Sequence, residues 1–344
     1  MKRLAQHALF WPCTTLLLLL VVCAVFNPAF LGVAWQGGHL YGNLVDILNR
    51  AAPLMVVSMG MTLVIAVRGL DISVGAVVAI AATVAALMIG GSFSATGAVH
   101  SNYPLWLALT AALAVAAACG LWNGLLVVKA GMQPIVATLI LMVAGRGIAQ
   151  LLTGGQIITV YYPPFFQLGN GFLLGLPVAL WIAGGLWLAL HLLLSRTALG
   201  LFVRSIGGNP EAARVAGVRS SAITLCVYTF CGFAAGVAGL IVSSNVKSAD
   251  ANNAGQLLEL DAILAVTLGG TALTGGRFQL AGTVIGAVII QTLTSMIYSL
   301  GVPPEVNLVV KAALVFAVML LQSAEFRGVV VRIARGNPNK ALVK

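Results

Sequence analysis

Charge is what this chain of 344 residues has least of: 8 acidic residues and 18 lysines and arginines amount to 8% of it, against 60% hydrophobic residues. So few charges cannot cover the surface of a water-soluble domain, which leaves a multi-pass membrane protein. No lysine follows a glycine, so the Gly-Lys loop that cradles ATP phosphates is missing. The five cysteines, Cys13, Cys23, Cys119, Cys226 and Cys231, have no metal-ligand spacing and fall in or beside apolar segments. They read as small buried residues rather than disulfides or zinc ligands. His7, His39, His100 and His191 are scattered, and no Ser/His/Asp or paired-carboxylate set stands out, so neither a catalytic nor a metal site is expected. The net charge of +10 comes without basic runs interleaved with aromatics, which argues against nucleic acid and for membrane edges.

What is present is a series of apolar windows, each near the roughly 20 residues needed to cross the hydrocarbon layer. Ten are placed, at 13–32, 46–67, 73–91, 105–127, 134–152, 177–194, 221–243, 260–275, 279–299 and 306–323. Glycine-rich ends mark the third and eighth as candidates for short or re-entrant segments. The apolar run after Met1-Lys2-Arg3 ends in Phe26-Asn27-Pro28, which is no small-residue cleavage site, so it reads as the first span. With the N-terminus inside, 14 of the 18 basic residues fall on the cytoplasmic side, and the outer loops 92–104 and 153–176 hold none. The expected layout is a cytoplasmic N-terminus at 1–12, a transmembrane permease domain at 13–323 and a cytoplasmic tail at 324–344. It is an all-α polytopic membrane protein with about ten transmembrane helices, both termini cytoplasmic. Pairs such as Gly120 and Gly124, Gly232 and Gly236, and Gly282 and Gly286 suit close helix packing. The turns RGLDISVG (Arg68 to Gly75) and GGRFQLAG (Gly275 to Gly282) look alike and suggest an internal repeat.

Between the sixth and seventh windows lies a polar island, 195–220, with the grammar of a short helix. Asn209 suits the N-cap, Pro210 the first helical position, Glu211 the positive end of the dipole and Gly217 the C-terminal turn. A helix of about two turns is marginal by itself, so this one must lie against something. Either it is a connector on the membrane surface or it docks a cytoplasmic partner.

Polar groups at membrane depth are costly and mark function by default. Arg146 sits mid-window, where it pairs with a carbonyl or carboxylate or else faces the pathway. Asn123, Gln133, Gln150 and Gln156 could line a polar path, since amides both donate and accept, though amides also bind helices together. SADANNAG (Ser248 to Gly255), with Asn252 and Asn253, reads as an acidic, amide-rich outer loop, a gate or a docking surface. Asp71 reads as a helix cap at the inner edge of the third span.

GGNPEAARVAGV resembles the coupling segment of the sugar-type permeases of ATP-binding-cassette importers, in the branch that carries ribose and other monosaccharides. RGLDISVGA and LDAILAVTLGGTALTGGRF are similar to two further signatures of that family, and the resemblance runs from about Asp46 to Ser323. VATLILMVAGRGIAQLLTGGQI and SADANNAGQLLELDAILAV are most like its galactofuranose-transporting members. Arg68 departs from the family, which has a small residue there. The resemblance implies a bacterial inner-membrane permease, paired with itself or a paralogous permease in the lipid. Cytoplasmic ABC ATPase subunits would bind the ATP, with no cofactor on this chain, and a periplasmic sugar-binding protein would deliver the substrate. It implies ATPase coupling by Gly208, Asn209, Pro210, Glu211, Ala212, Ala213, Arg214 and Gly217. The pathway candidates are Asn123, Gln133, Arg146, Gln150, Asn252 and Asn253, and the gating hairpins hold Asp71, Ser73, Gly75, Gly275 and Gly276. An ion-coupled secondary transporter of a small polar solute is the alternative. It needs carboxylates inside the bundle, and the acids here fall mostly at window edges.

Overall fold

Residues 9–26, 28–90, 92–93, 99–301 and 303–322 are described by a computed structural model. The expected tail and most of the expected N-terminal segment lie outside them. Each apolar window contains a helix: α1 (Phe10–Phe26), α2 (Asn43–Ala66), α3 (Val74–Ile89), α4 (Leu105–Val128) and α5 (Pro134–Thr153). After the short α6 (Pro163–Asn170) come α7 (Val178–Arg196), the connectors α8 (Leu199–Gly208) and α9 (Pro210–Val215), then α10 (Ser220–Val246), α11 (Leu258–Leu268), α12 (Leu280–Ser299) and α13 (Pro304–Gln322). Among the described residues strands occur only as short antiparallel pairs, one of which joins Ile158–Thr159 to Ser248–Ala249. Among the described residues, six helices, α2, α4, α5, α7, α10 and α12, are long and apolar enough to cross a membrane.

The window at 260–275, marked by its glycine-rich end as a candidate short segment, is short in the structure. Its helix α11 has 11 residues, about 16 Å at 1.5 Å per residue, and so falls well short of the hydrocarbon thickness. The chain then turns through the glycine-rich residues 269–279. The third window is short as well, its helix α3 having 16 residues. Both begin inside the bundle.

The face that carries α8 and α9 is called the lower face here, and the opposite one the upper. Asn123 lies five residues from the lower end of α4 and Tyr228 eight residues from the lower end of α10, so they stand about 7 and 12 Å inside. The turn between α2 and α3 reaches both. A methyl on Gly69 would sit 2.5 Å from the Tyr228 hydroxyl, and Asp71 accepts a hydrogen bond from Asn123. The chain therefore re-enters the bundle from the lower face before α3 starts. From the upper face, the turn between α10 and α11 descends to Arg146, seven residues below the top of α5. Irregular backbone at this depth is tolerated only where protein covers it. Here α4, α5 and α10 supply the cover.

The order long helix, re-entrant turn, half-helix, two further helices thus occurs twice, as α2 to α5 and α10 to α13, with α2 and α10 running in opposite directions. These two pack against each other at the centre. Each also packs on the other half's helices, α10 on α3 and α4, α2 on α11 and α12. This is an inverted repeat, but not the one expected from the hairpins. The counterpart of 67–73 is 247–257, whereas Gly275 and Gly276 lie beside Arg68 and Ala66 on the lower face.

Close packing uses the small residues anticipated. A Cβ on Gly232 would lie 2.4 Å from the Ala116 carbonyl and 2.7 Å from Gly120 Cα, so α4 and α10 meet backbone to backbone. The cysteines divide: Cys23 and Cys231 are buried as expected, while Cys13 and Cys226 stand on exposed faces of apolar helices.

Candidate functional site

On the lower face α9 has the caps its sequence encodes. The Asn209 side chain accepts from the backbone N–H groups of Glu211 and Ala212, both at 3.1 Å. At the other end Gly217 takes φ +84°, its N–H donates to Arg214 O, and Val218 N–H donates to Ala213 O. This pair of bonds satisfies the last carbonyls. Arg214 Nη2 donates to Glu211 Oε1 at 2.8 Å on the exposed side. That hydrogen bond first, and the guanidinium charge second, hold the Glu211 carboxyl below its ordinary range and the Arg214 guanidinium above its own. Ala213 is buried, while Val215 is 80% exposed. The short helix is thus seated on one side and presents an acid, a base and a valine on the other.

The base of this loop is tied to two other turns. Arg68, at φ +64° just after α2, donates from Nε to Gly207 O at 2.7 Å and from Nη2 to Gly208 O at 2.5 Å. Gly276 N–H donates to Ala66 O at 2.9 Å. A Cβ on Gly207 would sit 1.8 Å from Ala66 O and 2.3 Å from Gly276 N, so no other residue fits where the three turns cross. Arg204 lies over the Phe278 ring, 5.3 Å from its centroid. Arg68 is therefore a strut to the end of α8, just before α9. It makes no bond to Asp71.

Asp71 is not the inner-edge cap that its sequence position suggested. It is 1% exposed and takes hydrogen bonds on Oδ1 from Ser73 N–H (3.0 Å), Ser73 Oγ (2.6 Å) and Asn123 Nδ2 (3.3 Å). Asn123 Nδ2 also donates to Ser73 Oγ at 2.8 Å. Asn123 is fully buried and serves this turn, away from the other pathway candidates. Gln133 is exposed at the lower end of α5, also apart from them.

Arg146, Gln150, Asn252 and Asn253 do come together. Arg146 Nη1 donates to Ala251 O at 3.1 Å and Ala254 O at 2.6 Å, and Gln150 Nε2 donates to Asn252 Oδ1 at 2.7 Å. Asp250 Oδ1 caps the turn by accepting from Asn252 N–H and Asn253 N–H, and its Oδ2 accepts from Asn253 Nδ2 at 2.7 Å. Those bonds, the Asn253 side chain foremost, hold the Asp250 carboxyl below the usual range. The segment expected as an outer loop, a gate or a docking surface, is thus partly buried, with Ala249 and Ala251 inside. Glu259, 4% exposed, lies just beyond it at the start of α11. Asp71 and Glu259 correct the expectation that the acids sit at span edges, since both are interior. No local signal marks this burial: Gly75 and Glu259 lie 184 positions apart, and no local pattern joins them.

A family described as "Branched-chain amino acid transport system / permease component" matches residues 43–319. The chain is 48% identical, over 90% of its length and 88% of the relative's, to the galactofuranose transporter permease protein of Escherichia coli (strain K12). To the fructose import permease protein of Bifidobacterium longum (strain NCC 2705) it is 36% identical over its full length and 95% of that protein. To the ribose import permease protein of Escherichia coli (strain K12) it is 35% identical over 90% of this chain and 91% of that protein. No solved structure matches.

Proposed function

The chain belongs to the family of transport-system permease components, and from that membership we propose that it is the membrane subunit of an ATP-driven monosaccharide importer. Galactofuranose or a related sugar is the cargo in this reading. The family description names amino acids, but the relatives aligned over most of this chain are sugar permeases. The lower face carries Arg68, Lys129, Arg196, Arg204, Arg214, Arg219 and Arg277, which supports reading it as the cytoplasmic side, with both termini inside in the same reading. ATP is hydrolysed by separate subunits docked on that face. A periplasmic sugar-binding protein delivers cargo to the other face, and a second permease, identical or paralogous, completes the pair.

The geometry of α9 supports the coupling role. It is capped at both ends, seated through Ala213 and exposed along Glu211, Arg214 and Val215. A push on it passes along α8 and α10 to either side, and through Arg68 into α2. Since α2 and α10 are the packed pair at the centre of the inverted repeat, a displacement of one against the other alternates access as a rigid-body motion. Asp71 and Glu259 are both engaged in the packing of half-helix starts, which gives them a role without ion coupling.

The test is ATP hydrolysis by this chain reconstituted in liposomes with its ATPase and binding protein, across furanose and pyranose sugars. Stimulation by the loaded binding protein is expected, largest for galactofuranose. A well-folded chain that captures no ATPase would overturn the coupling role, and stimulation by amino acids alone would overturn the cargo.

A further inference from the structure

Two polar cavities open at the upper end of α2, on either side of the turn that bears Asp46, Asn49 and Arg50. One, about 340 Å³, runs between α2 and α12 and is walled by Gln291 and Thr294. The other, about 410 Å³, runs between α2 and α10 and is walled by Asn245. Asp46 and Arg50 belong to both. No local pattern marks these side chains, because they lie on apolar helices and converge only in space.

We propose that this paired vestibule is a monosaccharide site within a single protomer, the station at which sugar enters the permease from the upper face. Among the described residues, Asp46 and Arg50 form no ion pair although they are one helical turn apart, and the Gln291 amide makes no hydrogen bond. Asn49 is held by its Nδ2 on Gly169 O at 3.2 Å, and its Oδ1 is buried without a partner. Asn49 is thus spent on the wall itself, while the Asp46 carboxyl, the Arg50 guanidinium and the Gln291 amide offer acceptors and donors side by side, with the acid and the base cancelling in charge. That inventory suits a neutral ring of hydroxyls, each of which donates and accepts. Each cavity is also within the size range of small-molecule sites. By contrast, the groove lined by Leu63, Leu190, Val227 and Phe230 is apolar throughout and offers a sugar nothing.

The site rests on the import of sugar proposed above, but its test does not depend on transport. Gln291→Cys, and separately Asn245→Cys, is reacted from outside with a membrane-impermeant thiol reagent in proteoliposomes. None of the five native cysteines lines either cavity, so the unmodified chain gives the background. Free D-galactose, D-fructose and D-ribose are the probes, with L-leucine alongside. At a sugar concentration about four times its Kd, labelling should slow about fivefold, because only the empty site reacts. An unchanged rate at saturating concentrations of all three sugars, at both positions, overturns the site. So does protection by leucine alone, or by sugar-free binding protein alone, which would make the vestibule a docking surface. Uptake by the unmodified importer, measured in parallel, separates the two claims. Uptake without protection strikes the vestibule only, and protection without uptake keeps the vestibule and strikes the importer.

Discussion

Gly75, in the first turn of α3, lies against Glu259, in the first turn of α11: a methyl on the glycine would sit 2.3 Å from Glu259 Oε2. The starts of the two half-helices meet inside the bundle, and the buried carboxylate faces the positive end of a helix dipole. Its Oε2 has no hydrogen-bond partner among the described residues.

Gly75→Ala should therefore destabilise the protein by about 1–3 kcal/mol, the usual cost of overpacking a tight core. Adding Glu259→Ala should recover only part, since the Gly255 carbonyl lies equally close, at 2.3 Å. Thermal unfolding in detergent measures both. A Gly75→Ala protein as stable as the parent would show that the two turns are not in contact.

Arg146→Ala should loosen the 250–254 turn by removing two charge-assisted bonds to carbonyls, at about 2 kcal/mol. Faster proteolysis of that turn should accompany slower uptake. Slower uptake from a turn as protected as before would instead mean that Arg146 acts on the cargo directly.

In α9 and its caps, Asn209→Ala removes both cap bonds, about 1 kcal/mol of local helix stability, and Gly217→Val forces a β-branched residue to φ +84°. Glu211→Lys sets like charges face to face with Arg214. All three should insert normally and lose stimulation of ATP hydrolysis by the loaded binding protein. Normal uptake in the set would sink the assignment of α9.

Arg68→Ala should leave ATPase capture intact but lower the ratio of sugar moved to ATP hydrolysed, because the strut to Gly207 and Gly208 is gone. An unchanged ratio would show that α2 moves without it.

The Asp250 carboxyl is held below its ordinary value, so the stability it lends its turn is present above about pH 3.9 and is lost as pH falls through the lower folded value. Uptake should accordingly show no loss attributable to this turn between external pH 7 and 5, whereas Asp250→Asn should weaken it at every pH. A fall over pH 7 to 5 that the Asn variant abolishes would contradict the geometry.

Composition and local pattern determined much of this protein. A chain with 8% charge must be a membrane bundle. Apolar windows locate helices because length and hydrophobicity act over adjacent residues. The caps of α9 were legible because Asn209, Pro210 and Gly217 act within one turn of each other. Tertiary structure alone decided the rest. The glycine-rich end of the eighth window marked it as a candidate short or re-entrant segment, but only the packed structure shows that α11 stops after 11 residues. Arg146 could face a carbonyl or the pathway until Ala251 and Ala254 were brought down to it. Asp71, Glu259 and the vestibule side chains carry no mark of burial or exposure in the sequence. Whether a polar side chain in an apolar segment meets lipid, water or another turn depends on which distant backbone descends beside it, and that is set by packing across the whole bundle.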